Sequence, residues 1–100
     1  MKRQNGRHSK RRLQQRINEL TSLVKNLAPD AEILDVLIPG YEDLDAWIDI
    51  VVPDEKEEEV SEALSQRRYE IFTEDDYSIG LGITERSQYE AAQEKLHVTV

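Results

Sequence analysis

Cysteine is absent from this 100-residue chain, which removes disulfides, thiolate nucleophiles and thiolate metal sites together. That absence fits a reducing compartment, and a cytoplasmic protein is expected. Long apolar runs are missing too: none approaches the roughly 20 residues that span a bilayer, and no apolar segment follows the basic start. Neither a membrane span nor a secretory leader is therefore expected. Glycine appears only four times and proline three times, so no low-complexity tract is present. Aromatic residues number six, and the first 30 residues contain none. Such a length permits one modest core and so one domain.

Charge is abundant, and it is divided by position. Lys2, Arg3, Arg7, Lys10, Arg11, Arg12 and Arg16 fall within the first 16 residues, without a single acid among them. The other six bases face all 21 acids, so residues 17–100 carry a formal −15 within a chain of net −8. A body of that sign repels a phosphate backbone, so nucleic acid is expected to touch only residues 2–16. The lack of stacking aromatics there weighs against even that contact. The same arm would equally suit a partner protein, a second copy, or the chain's own acids.

Residues 1–9 lack apolar periodicity and are expected to be a disordered basic head, with residues 10–100 forming one domain. Leu13, Ile17, Leu20, Val24 and Leu27 recur at helical spacing, with Leu23 widening the stripe, which predicts a helix over Ser9 to Leu27. Pro29 stops it. "EILDVLIPG" (32–40) reads as a strand ended by Pro39-Gly40, and "AWIDIVVP" (46–53) as a second, with Ile48, Ile50 and Val52 on one face and Trp47, Asp49 and Val51 on the other. Their short link predicts an antiparallel hairpin. Asp54 is placed to cap a following helix, with Glu57 completing a box and Val60, Ala63, Leu64 and Ile71 buried. Arg67 is expected at the edge of that stripe, reaching outward.

Residues 69–73 fit two patterns, a helix end or a strand, and the helix continuing to about Phe72 is preferred. Tyr77 to Thr84 predicts a strand with Ile79, Leu81 and Ile83 on one face. Its other face, Ser78, Gly80, Gly82 and Thr84, invites close approach by a backbone or a helix. Thr84 is expected to cap a short helix to about Lys95, and "LHVTV" to add a terminal strand. The sum is an α+β fold: N-terminal helix, hairpin, helix, strand, short helix, in a mostly antiparallel sheet with helices on one face.

Among candidate sites, Asp43, Asp45 and Asp49, beside Glu42, come first because hard cations take oxygen ligands. An EF-hand loop starting at Asp43 fails, since Ile48 stands where glycine is required. Asp43 and Asp45 have the alternating spacing of a metal-binding strand pair, but Trp47 interrupts the row to Asp49, and a solvated loop is the preferred reading. The stretch from "DLDAWIDIVVP" through "YSIGLGITERSQYE" resembles the second half of the minimal nucleotidyltransferase fold, in which an acid-bearing strand precedes a long helix, a strand and a short helix. That resemblance implies metal binding by an Asp-x-Asp pair after a Gly-Ser phosphate loop. Here Pro39-Gly40-Tyr41 replaces Gly-Ser, and two residues separate Gly40 from Asp43, so the family's activity is not carried over.

His8 and His97 have no partner nearby in sequence for a triad or a metal, and "GLG" at 80–82 lies inside an apolar strand rather than a phosphate loop. "DEKEEEVSE" (54–62) reads as a solvated helix face. Tyr41 and Trp47 are candidates for a protein interface, although a place for Trp47 under the N-terminal helix is the preferred reading. The leading expectation is a non-catalytic interaction module, without cofactor, whose acidic body engages a basic or polar protein. A homodimer through the leucine-spaced helix is another outcome. Nucleic-acid contact through the basic arm, and a degenerate nucleotide or metal binder, are the other classes.

Overall fold

A computed structural model describes residues 10–98, and for residues 95–98 the backbone alone. The expected disordered head, residues 1–9, lies outside the described residues. The elements run α1 (Lys10–Leu27), β1 (Glu32–Leu37), β2 (Ala46–Val52), a 3-10 turn (Asp54–Lys56), α2 (Glu57–Asp75), β3 (Ile79–Glu85) and α3 (Arg86–Val98). This is a single small α+β unit, as the patterning predicts.

The sheet has the order β1-β2-β3, which puts the most apolar strand in the centre. β1 and β2 pair antiparallel, as their short link requires, with Val36 opposite Ile48 and Leu37 opposite Trp47. β2 and β3 pair parallel, with Ile48 beside Leu81 and Ile50 beside Ile83, because α2 carries the chain back between them. The sheet is thus mixed, and the antiparallel expectation holds for one of its two pairs. One face carries Ala46, Ile48, Ile50, Val52 and Ile79, all buried against Leu13, Ile17, Leu20 and Val24 of α1 and Val60, Leu64 and Ile71 of α2. Each such aliphatic side chain contributes about 2 kcal/mol by leaving water. α1 and α2 therefore cover a single face.

The first strand ends at Leu37, just before Pro39-Gly40 as expected, and the Gly40 N–H bonds the Leu44 carbonyl (3.1 Å) to close a turn. Several other local expectations are corrected. α2 continues past Phe72 to Asp75, which settles residues 69–73 as helix, and Asp76 closes it in a left-handed conformation. Asp54 caps no turn of its own helix. Its Oδ1 instead accepts the Ser87 N–H (3.0 Å), so it caps α3 from 33 residues away. The Ser87 hydroxyl and N–H hold the Asp54 carboxyl below its ordinary pKa. Thr84 lies within β3 and does not take that role. Residues 96–98 belong to α3 rather than to a terminal strand, and residues 99–100 lie outside the described residues.

Candidate interaction surfaces

The seam between α1 and α2 accounts for part of the basic arm. No acid stands in the first turn of α1 and no base in the last turn of α2, which is the reverse of what each helix dipole prefers. The two misfits meet. Arg12 Nε and Nη2 reach Asp75 at 2.9 and 3.1 Å, and Arg16 Nε reaches the same carboxylate at 2.5 Å. Arg16 also bonds Glu74 (3.2 Å) and Glu19 (2.8 Å). Arg67 does not reach outward: its guanidinium forks between Glu19 and Glu70. The Arg12 and Arg16 hydrogen bonds hold Asp75 below the ordinary carboxylate range. Burial pushes Glu19 up, but the hydrogen bonds from Arg16 and Arg67 outweigh it and its pKa falls. Of the seven arm residues, Arg12 and Arg16 thus serve the chain's own acids, and Lys10 and Arg11 stay exposed on α1. Lys2, Arg3 and Arg7 lie outside the described residues.

The carboxylates of the hairpin do not converge. Asp45 continues the ladder between β2 and β3: its N–H bonds the Ser78 carbonyl (2.7 Å) and its Oδ2 accepts the Ser78 N–H (2.8 Å). Asp49 Oδ1 accepts the Trp47 Nε1–H at 2.9 Å. Asp43 is exposed in the turn. Among the described residues, no three of His, Cys, Asp and Glu are grouped so as to hold a metal ion.

Trp47 is not beneath α1. It lies on the opposite face of the sheet, half-buried, with its ring across Gly80 and Gly82. A Cβ at Gly80 would stand 2.5 Å from Trp47 Cε3, and one at Gly82 would stand 2.8 Å from Cζ2. The close approach that the glycines permit is therefore that of an indole, not of a backbone or a helix. Tyr41, exposed, meets the indole edge-on with ring centroids 5.2 Å apart.

A surface that sequence reasoning missed runs along the free edge of β3. Ser78 turns both its N–H and its C=O towards Asp45 of the hairpin. Alternation along the strand then turns the backbone groups of Ile79, Leu81 and Ile83 away from β2. Arg68 Nη1 takes the outward carbonyl of Ile79 at 3.3 Å, and no group among the described residues meets those of Leu81 and Ile83. Two adjoining cavities of about 260 and 400 Å³ lie between this edge and α2, sharing Leu44, Ser65 and Arg68. Tyr69 and Phe72 open one end, at 65% and 46% exposure, and Ser61 and Ile83 line the other. The signal available in the sequence was the uncharged run from Tyr77 to Thr84, which ends up as an edge rather than a central strand.

No protein-family profile, curated protein or solved structure matches the chain.

Proposed function

We propose that this protein is a non-catalytic interaction module whose acidic surface engages a basic protein. The observation that carries the reading is the uneven use of its ion pairs. Arginines neutralise Glu19, Glu70, Glu74, Asp75 and Glu32, all along the α1–α2 seam or at the β1 end of the sheet. At the start of α2, by contrast, Glu55, Glu58 and Glu59 stand exposed, with Lys56 near Glu59 (3.6 Å) as the one ion pair they make among the described residues. Like charges left this close raise the local negative potential, and that favours encounter with a cationic partner.

The test is a titration of the labelled protein with a lysine- and arginine-rich peptide at physiological salt, recording backbone amide shifts. The shifts are expected to centre on residues 55–62, to shrink as salt rises, and to vanish in the Glu55→Gln/Glu58→Gln/Glu59→Gln variant. Equal shifts at Glu90 and Glu94 of α3, or none at all, would contradict the reading. A duplex oligonucleotide run in parallel distinguishes nucleic-acid contact, which would instead move Lys10 and Arg11.

A further inference from the structure

The β3 edge asks for a different occupant. From the geometry we infer that a second copy of this chain pairs there, β3 against β3, giving a two-fold dimer with a continuous six-stranded sheet. An open edge with unpaired N–H and C=O groups is a template for another strand, and proteins ordinarily guard it with charge, proline or a bulge. The other edge of this sheet is guarded in that way: β1 is bulged between Ile33 and Asp35, and Asp35 Oδ1 takes the Val36 N–H at 2.9 Å. β3 has an unbroken register with β2 and no charge before Glu85.

Three observations favour a copy over a basic peptide. The first is the sign of the charge in the groove: Arg68 is the cation lining both cavities, so a lysine-rich strand would meet repulsion and a carboxylate would be welcome. The second is self-complementarity. Arg68 lies beside Ile79 and Ser61 beside Ile83, so α2 runs back along β3, and the midpoint of both contacts falls near Leu81 on the strand and Ser65 on the helix. A two-fold axis there pairs Leu81 with its own copy and Ile79 with Ile83 of the second copy, all of them outward-facing positions able to exchange two hydrogen bonds per pair. It also sets the two α2 helices antiparallel, so that Arg68 comes opposite the exposed Glu62 of the second copy. The third is the position of Arg68 itself: its long bond to the Ile79 carbonyl occupies the edge in the single chain and is released when Ile83 of the second copy takes that carbonyl.

The experiment is sedimentation of the whole chain from low micromolar to millimolar concentration, at low and moderate salt. A reversible dimer is expected, and it should strengthen as salt rises, because two bodies of net −8 repel one another. Arg68→Glu is expected to weaken it about tenfold by setting like charges against each other at two symmetric places. Glu62→Arg combined with Arg68→Glu restores it. Both positions are exposed, so neither variant threatens the core. A monomer at every concentration overturns the inference, and so does a dimer that is indifferent to Arg68→Glu or that the double exchange fails to rescue. None of these outcomes bears on the acidic surface at residues 55–59, which is probed separately.

Discussion

The two edges of this sheet are built on opposite plans. β1 carries charges at Glu32 and Asp35, has a bulge at Leu34 and ties up an edge N–H with the Asp35 carboxylate. β3 is straight in register, carries two glycines and, among the described residues, keeps its outward groups free apart from the Arg68 contact. The difference teaches where association is allowed. A twisted three-stranded sheet always has two edges, and a chain that guards one of them with a bulge and a charge while leaving the other plain has separated a closed side from an open one. The glycines that make β3 plain are themselves required, because the Trp47 ring occupies the place of their side chains.

Three substitutions would break or sharpen that contrast. The largest effect is expected at Gly80→Ala, whose Cβ would stand 2.5 Å from the Trp47 ring and 2.6 Å from Leu44 Cδ1. Displacing both costs about 1–3 kcal/mol in chemical denaturation. Trp47 is the single tryptophan, so its fluorescence reports the shift directly. Asp75→Asn comes next. It leaves Arg12 and Arg16 without their shared carboxylate and is expected to lower Tm by roughly 5 °C at neutral pH. The pH dependence follows from the sign of the shifts. Asp75 and Glu19 are depressed when folded, so the stability they contribute is fully present above the unfolded carboxylate pKa of about 4 and is lost as pH falls through their lowered values. The variant should therefore show a shallower loss of Tm below about pH 4 than the parent. The smallest effect on stability is expected at Asp35→Thr, under about 0.5 kcal/mol. Its consequence lies elsewhere: with the charge gone, the β1 edge loses one of its guards, and species larger than a dimer should sediment at high concentration.

Much of the fold was legible because period and spacing are local properties. The stripe Leu13, Ile17, Leu20 and Val24 and the alternation Ile48, Ile50 and Val52 both end in the core. The errors came where a residue answers to something distant in the chain. Asp54 looks like a cap for the helix beside it, and caps α3 instead. The first turns of α1 look wrongly charged until Asp75 is brought alongside. Trp47 reads as a residue of the helix side because nothing nearby in sequence tells that its partners are two glycines more than 30 residues on. The acidic run at 54–62 could be read in advance as a solvated helix face, but not as the place where a partner would meet the chain. The edge groove could not, because it depends on β3 lying at the margin of the sheet and on Tyr69 and Phe72 being helical.

Amide hydrogen exchange as a function of protein concentration tests the central claim most directly, with Gly80 and Gly82, whose N–H groups face β2, as internal references. The account predicts that Leu81 and Ile83 exchange fast in dilute protein and become protected as concentration rises, while the two glycines stay protected throughout. Fast exchange of Leu81 and Ile83 at every concentration would contradict it.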